Sequence, residues 1–308
     1  MENATDKGHA LRLPALIQCL RPRQWTKNLL LFAGLLFTVK FTDPEAVLRV
    51  SVGFLIFCVL SGVVYTINDL RDVEQDRLHP LKRLRPIACG MISSRSAIVW
   101  AAVLGVGALG LSFVLGLPFA LIAIAYFLLN LFYSVWLKHL VIVDIFCIAT
   151  GFVLRALAGV EILRELDATV DISNWFLLCA FFLALFLAIC KRRHEAVLVM
   201  NNGNGPSTRK VIEEYSPALL DQMVAITTTS TILTYALWGA LGQFADERML
   251  YTLPFVVFGV FRYLYLVYRR DGGGEPETVL LTDVPLIVCI ILWLLMVLSI
   301  LRKAVGAA

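Results

Sequence analysis

Long apolar runs, separated by short charged segments, set the pattern of this 308-residue chain. The runs LLLFAGLLFTV, SVGFLIFCVLSGVVYTI and VPLIVCIILWLLMVLSIL contain no charged residue. A helix of about 20 apolar residues crosses the hydrocarbon core of a bilayer, so the pattern predicts an all-α, polytopic membrane protein with about nine transmembrane helices. The predicted spans are 26–42, 46–68, 97–115, 118–137, 140–160, 174–191, 221–243, 249–268 and 281–301.

The composition supports this fold class and argues against a soluble one. Charged residues make up 16% of the chain, whereas soluble domains have roughly 25%. A soluble α/β protein would have to bury the long apolar runs on every face. No shift in composition marks a second domain, so we expect one transmembrane domain over 1–308, with 1–25 as a cytoplasmic N-terminal segment. We expect no nucleic-acid partner.

The distribution of basic residues predicts the orientation of the chain in the membrane. The segments 1–28, 69–96, 138–139, 191–219 and 269–280 hold most of the lysines and arginines, and the 161–173 segment is net negative. By the positive-inside rule, the N-terminus and the basic segments lie in the cytoplasm. An odd number of spans then places the C-terminus outside.

The densest charges lie in the stretch NDLRDVEQDRLHPLKRLRP, residues 68–86, after the second predicted span. Asn68, Asp72 and Asp76 are spaced four residues apart, so they share one face of a helix, and Asp69 lies beside them. Such oxygen ligands suit a hard cation, and Mg²⁺ usually binds through one or two carboxylates plus substrate phosphates. The spacing therefore predicts a magnesium site of catalytic importance.

Basic residues follow the acids at once. Lys82, Arg83 and Arg85 are suited to hold phosphate oxygens beside the metal. The alternative is a solvated cytoplasmic loop whose charges only set the topology. The regular spacing of the acids at a membrane edge favours a site for a metal-bound diphosphate.

The motif NDxxDxxxD after the second span, with RPRQWTKN opening the first, resembles the UbiA superfamily of membrane prenyltransferases. That resemblance implies a prenyl diphosphate bound through Mg²⁺ on two aspartate-rich segments, the second of them after the sixth span. Here the second segment reads CKRRHEAV instead. Lys191 and Arg192 stand where aspartates are expected, and Glu195 is the acid that remains.

A basic second segment is similar to one branch of the superfamily, the decaprenyl-phosphate phosphoribosyltransferases. The matching phrases are RPRQWTKN, NDxRDVExDRxHPxKRxRPIAxG, GFxxRAxAG and KRxxE. The resemblance implies that phosphoribosyl pyrophosphate is the donor and a polyprenyl (decaprenyl) phosphate the acceptor. It also implies a bacterial plasma membrane, an active site facing the cytoplasm and a product for arabinose-containing envelope glycans.

The implied chemistry fits the residues. Mg²⁺ on Asn68, Asp72 and Asp76 would neutralise the departing pyrophosphate, and the basic segment would take the second phosphate of the donor. The attacking lipid phosphate is already an anion, so no general base is needed.

Further charged and polar residues are candidates for substrate binding, each with a structural alternative. Arg23 and Lys27 enter the first span and either receive a phosphate or extend to the interface. Lys138 is a ligand or a topology charge. Asp144 and Arg155 lie within the fifth span, where Asp144 is a candidate for sugar hydroxyls and Arg155 for pairing with a buried group. Tyr133, at the end of the fourth span, completes the set.

Two rival functions stay open at this point. One is an ordinary prenyltransferase that joins a prenyl diphosphate to an aromatic acceptor, which the basic CKRRHEAV segment argues against. The other is an anion transporter, which the absence of evident inverted repeats argues against. A homo-oligomer is also left open.

Overall fold

The computed structural model describes residues 15–80, 82–171, 173–201, 210–242, 247–269, 274 and 276–306. Its regular structure within these ranges is entirely helical, as the apolar pattern predicted. Eight helical segments are long and apolar enough to cross a membrane, and they coincide with the last eight predicted spans. We label their α-helical parts α1 (Pro44–Arg71), α2 (Ser94–Ser112), α3 (Leu117–Val135), α4 (Val143–Arg164), α5 (Asn174–Asn201), α6 (Pro217–Leu241), α7 (Leu253–Arg269) and α8 (Val284–Gly306).

The first predicted span, 26–42, does not form a single α-helix. It consists of an 11-residue 3₁₀ helix, Pro22–Phe32, followed by five α-helical residues, Ala33–Phe37, and a short turn, Lys40–Thr42. A 3₁₀ helix rises about 2.0 Å per residue and an α-helix about 1.5 Å, so Pro22–Phe37 is roughly 30 Å long. This length matches the thickness of the hydrocarbon core of a bilayer. The total of nine spans and their orientation in the membrane stay predictions.

Local sequence explains where several helices begin. Pro44 starts α1, and the Asp43 carboxylate caps it by accepting from the backbone N–H of Glu45 at 2.9 Å. Ser93 and Ser216 cap α2 and α6 in the same way. The tight connection between α2 and α3 requires Gly116, because its φ of +118° is open to glycine alone.

Helix α5 is longer than the predicted span 174–191 and continues to Asn201. The prediction that a loop begins at residue 191 was therefore wrong. Lys191, Arg192 and Glu195 lie on the part of this helix that extends beyond the apolar run, and Arg192 pairs there with Asp144 of α4.

Helix α4 lies between two apolar cores. On one side Ile162 and Leu163 pack with Leu31, Phe57 and Phe119 from the N-terminal segment, α1 and α3. On the other side Ile145 and Ala149 belong to a core with residues of α5, α6 and α7. The charged residues Asp144 and Arg155 of α4 are buried in the interior of the bundle.

Candidate active site

The acidic segment sits where α1 ends. Backbone hydrogen bonds run from Asp72 to Asn68 at 2.9 Å and from Asp76 to Asp72 at 2.8 Å, so the helical path continues into the short helix Val73–Leu78. Asp72 itself lies at a bend, with φ −94° and ψ 11°. The three residues thus follow one another on successive turns, as their spacing predicted.

Asp69 and Asp76 are buried and held by arginines. The Nη1 of Arg85 lies 3.0 Å from Asp69 Oδ1 and 2.6 Å from Asp76 Oδ2. Arg21 also donates to Asp69 Oδ1. Arg85 therefore joins two acids of the segment, and a metal on Asp76 would have to share that carboxylate with Arg85. Arg21 is a partner that the sequence analysis did not single out, although it lies within RPRQWTKN.

Asn68 and Asp72 offer oxygens of a different kind. The buried Oδ1 of Asn68 has no hydrogen-bond partner, and the Asp72 carboxylate, which is 31% exposed, lies 3.5 Å from Lys138 Nζ. A buried amide oxygen without a partner is costly, and a hard cation is a ligand that would satisfy it. No group of three His, Cys, Asp or Glu side chains arranged for a metal occurs among the described residues. Asn68 and Asp72 fit a magnesium ion whose other ligands are phosphate oxygens and water.

The remaining basic candidates of this side lie at the surface. Arg23 and Arg83 are exposed, and Lys27 and Lys82 are half-buried. Lys27 Nζ donates to Gln24 Oε1 at 2.5 Å. The structure assigns no role to these four residues.

Arg192 is the centre of a buried polar network on α5. Its Nε donates to Asp144 Oδ2 at 2.7 Å, its Nη1 to Glu195 Oε2 at 2.5 Å and its Nη2 to Tyr133 OH at 3.2 Å. The Arg192 and Asp144 side chains are 2% and 0% exposed. Asp144, a candidate for contact with sugar hydroxyls, is thus buried against the arginine and orients it. Lys191 lies half-buried next to this network.

Tyr215 completes the network and was missed by the sequence analysis. Its hydroxyl donates to Asp144 Oδ1 at 2.7 Å and accepts from the backbone N–H of Ile142 at 2.6 Å. Burial and the hydrogen bond to Asp144 raise the pKa of Tyr215, so this hydroxyl keeps its proton at neutral pH. Its only sequence signal is a lone aromatic residue in a charged segment just before Pro217.

The turn that Tyr215 supports is strained. Ile142 has a φ of +69°, which a β-branched residue rarely adopts. Such strain persists only where surrounding contacts hold it. Tyr215 therefore ties the junction of α3 and α4 to the Asp144–Arg192 pair.

Arg193 and Arg155 take other directions. Arg193 donates to Asp221 Oδ1 at 2.5 Å and lies over the ring of Tyr268, away from Asp144. Arg155 is buried and donates to Asn28 Oδ1 at 2.7 Å and Tyr126 OH at 2.6 Å. Of the two roles considered for Arg155, substrate binding and pairing with a buried group, its contacts match the second.

Comparison with known proteins identifies the family of this chain. The model of the UbiA prenyltransferase family matches residues 29–282. The chain belongs to the UbiA prenyltransferase family. The family resemblance drawn from NDxxDxxxD and RPRQWTKN is thereby confirmed.

Several curated proteins that the chain resembles over most of its length are named decaprenyl-phosphate phosphoribosyltransferase. The chain is 35% identical over 293 residues to the decaprenyl-phosphate phosphoribosyltransferase of Mycolicibacterium smegmatis, covering 91% of this chain and 90% of the relative. It is 33% identical over 304 residues to the protein of the same name from Mycobacterium tuberculosis, covering 95% and 96%. The branch predicted from the basic second segment agrees with these names.

Solved structures agree on the UbiA fold. A UbiA homolog from Archaeoglobus fulgidus bound to GPP and Mg²⁺ superposes with a TM-score of 0.70 at 20% identity, covering 94% of this chain and 99% of that one. The same homolog bound to Cd²⁺ gives a TM-score of 0.66 at 19% identity, covering 94% and 99%. These likenesses establish the fold alone.

Proposed function

We propose that this chain transfers 5-phosphoribose from phosphoribosyl pyrophosphate to a polyprenyl phosphate and releases pyrophosphate. The whole chain would act as one catalytic membrane domain, with its site at the cytoplasmic face of a bacterial plasma membrane. The product would feed arabinan precursors of the cell envelope. The names of relatives that are 33% and 35% identical support this reaction.

The observation that carries the proposal is the position of the α3–α4 junction. Lys138 of this junction lies 3.5 Å from Asp72, and Tyr133, five residues earlier, accepts from Arg192. The junction therefore brings the acidic segment of α1 close to the basic segment of α5. Such a site has one wall for a metal-bound diphosphate and one for a second phosphate.

Each wall has its own part in the proposed reaction. Asn68 and Asp72 would hold Mg²⁺, which when bound neutralises the charge of the departing pyrophosphate. Lys138 stands beside Asp72 as a further cation for that leaving group. Lys191 would bind the 5-phosphate directly. Arg192, whose side chain is 2% exposed, would add positive charge to that wall, and Asp144 and Tyr215 keep it in place.

The bond changes of the reaction need no proton transfer from the protein. An oxygen of the lipid phosphate forms a bond to C1 of the ribose, while the bond from C1 to the pyrophosphate oxygen breaks. The electron pair leaves with the pyrophosphate. Because the attacking phosphate is an anion at neutral pH, no general base is required.

The decisive experiment measures product formation by the purified protein in lipid nanodiscs. We would supply Mg²⁺, a polyprenyl phosphate and phosphoribosyl pyrophosphate labelled in the ribose, and follow label in the lipid phase. Label that appears and is lost with EDTA supports the proposal. Consumption of a prenyl diphosphate with an aromatic acceptor, and no labelled lipid, would establish the ordinary prenyltransferase instead. Solute movement without bond changes would indicate a transporter.

A matched pair of acids sharpens this test. Asp72→Asn removes a charge next to the buried Asn68 oxygen, and we expect a loss of about 10²–10³-fold in kcat. Glu74→Gln removes an equal charge two residues away, where the side chain is 80% exposed and contacts Arg77. We expect that control to stay within about twofold of the unmodified protein, because exposed pairs contribute little. Equal losses in both variants would contradict a specific metal wall.

The basic wall is tested separately by Lys191→Ala. We expect the KM for phosphoribosyl pyrophosphate to rise about tenfold, since a hydrogen bond to a charged group contributes roughly 1.5–3 kcal/mol. The KM for the lipid should change little. An unchanged KM for the donor would remove Lys191 from the 5-phosphate site.

A further inference from the structure

The phrase GFVLRALAG, residues 151–159, forms a docking face on α4. Gly151, Arg155 and Gly159 recur every four residues and therefore lie on one side of the helix. That side contacts the N-terminal segment Pro22–Phe37 through two independent sets of contacts. One is polar and centred on Arg155, and the other is a close backbone approach at Gly159.

Arg155 is a buried cation with neutral partners. Its Nε lies 2.7 Å from Asn28 Oδ1, and its guanidinium also donates to Tyr126 OH and to the backbone carbonyl of Gly151. Asn28 is fully buried and its Nδ2 donates onward to Ser61 Oγ at 3.3 Å. The N-terminal segment is thus hydrogen-bonded to α4 and α1 in the interior of the bundle.

Gly159 admits the backbone of the same segment. A Cβ at Gly159 would lie 2.0 Å from the carbonyl oxygen of Leu31, and a Cβ at Gly34 would lie 3.2 Å from the carbonyl carbon of Gly159. Contacts between a Cβ and a backbone atom below 3.0 Å do not occur without movement of the backbone. Any side chain at position 159 would therefore push the segment away from α4.

The 3₁₀ conformation of Pro22–Phe32 requires stabilising contacts from outside the segment. An 11-residue 3₁₀ helix is unusual, because its hydrogen-bond geometry is poorer than that of an α-helix and runs beyond three or four residues are uncommon. Asn28 and Leu31, the two residues held by α4, are also the two fully buried residues of this helix. The contacts with α4 therefore lie at the two buried positions of the 3₁₀ helix.

We infer that Arg155 is a positioning residue, which, with Gly159, holds the 3₁₀ segment against α4 and so places Lys27 for phosphate binding. Lys27 directly precedes Asn28, so the bond to Arg155 determines where the lysine leaves the segment. The role of Lys27 rests on the proposed function. Arg155 itself is 6% exposed and engaged with protein partners, so it acts through the segment rather than on the substrate.

The docking is tested first by hydrogen–deuterium exchange of the backbone amides in 23–32, which needs no activity. We expect Arg155→Gln and Asn28→Ala to raise the exchange of these amides at least tenfold, because each removes the same buried bond. Asn28→Asp keeps the acceptor for Arg155 and should preserve most of the protection. The matched control is Asn130→Ala, which removes an amide that donates, within the described part of the chain, to the Tyr126 carbonyl of its own helix. Unchanged exchange in Arg155→Gln and Asn28→Ala would overturn the inference.

The positioning role is tested by kinetics in a double-mutant cycle. We expect Arg155→Gln to raise the KM of one substrate about tenfold with kcat within threefold, and Lys27→Ala to affect the same KM. In the double variant the two effects should not add, because both remove the same contact. Full additivity would mean that Arg155 acts independently of Lys27, which contradicts the inference. If the unmodified protein transfers no phosphoribose, the proposed function fails, and the exchange result alone decides the docking.

Discussion

Two neighbouring arginines on α5 form the same kind of cluster in different surroundings. Arg192 pairs with Asp144, which accepts from Tyr215, and Arg193 pairs with Asp221, which accepts from Tyr268. The arginine and aspartate side chains are 2% and 0% exposed in the first cluster, and 17% and 44% in the second. We call them the inner trio (Arg192, Asp144, Tyr215) and the outer trio (Arg193, Asp221, Tyr268).

The difference shows that burial, and not residue type, separates the two arginines. Successive residues of an α-helix point about 100° apart, so adjacent arginines face different neighbours. The inner pair lies in a low-dielectric interior, where each charge depends on its partner. The outer pair is in contact with solvent, where water and salt weaken the interaction. The comparison predicts unequal effects of equal substitutions.

The largest contrast is expected between Asp144→Asn and Asp221→Asn. Removing the charge of Asp144 leaves the buried Arg192 without its most buried partner, so we expect unfolding free energy to fall by about 3–5 kcal/mol. Asp221→Asn should cost at most about 1 kcal/mol. Equilibrium unfolding in mixed micelles with increasing SDS measures both. Equal losses would show that burial does not distinguish the trios.

The next contrast is in activity, between Arg192→Lys and Arg193→Lys. A lysine keeps the charge but cannot reach Asp144, Glu195 and Tyr133 with one planar group. We therefore expect kcat/KM for phosphoribosyl pyrophosphate to fall about 30-fold or more in Arg192→Lys, roughly 2 kcal/mol. Arg193→Lys should remain within about twofold. A larger effect at Arg193 would reassign the phosphate-binding wall to the outer trio.

Tyrosine hydroxyls give a smaller contrast. Tyr215→Phe removes one of the bonds to the buried Asp144 and leaves the Ile142 N–H without its acceptor, so we expect a loss of about 1–3 kcal/mol. Tyr268→Phe removes a bond to an exposed carboxylate and should cost no more than about 0.5 kcal/mol. Thermal unfolding of the two variants side by side is the measurement. A neutral Tyr215→Phe would mean that other contacts hold the strained turn.

The smallest effect concerns salt. Raising NaCl from 0.1 to about 1 M shortens the Debye length from roughly 10 Å to 3 Å. At the higher salt concentration the attraction in the outer pair is screened even in the unmodified protein. Arg193→Met should therefore no longer lower the free energy of unfolding. The destabilisation by Arg192→Met should persist. Equal salt dependence of the two variants would argue that water reaches both clusters.

Several features of the fold and site could be predicted from local sequence. Eight helices follow from apolar runs of the length that spans a bilayer, and α1 begins where Asp43 and Pro44 supply a cap and a first turn. The spacing of Asn68, Asp72 and Asp76 also predicted their succession on helical turns. The first span differed, since it follows a 3₁₀ path and contacts α4 through residues far away in the chain, which no local pattern reveals.

The apolar runs thus determined the fold class, and the spacing of the charges marked an acidic and a basic segment. The family was indicated by the resemblance of the motifs NDxxDxxxD and RPRQWTKN. Only the tertiary structure decided that Arg85 joins Asp69 to Asp76, that Tyr215 donates to Asp144, and that Arg155 donates to Asn28 of the first segment. These decisions join residues as far apart as 127 positions in the chain. A charge takes its role from the partner and the burial that it acquires on folding, and neither is encoded in its immediate neighbours.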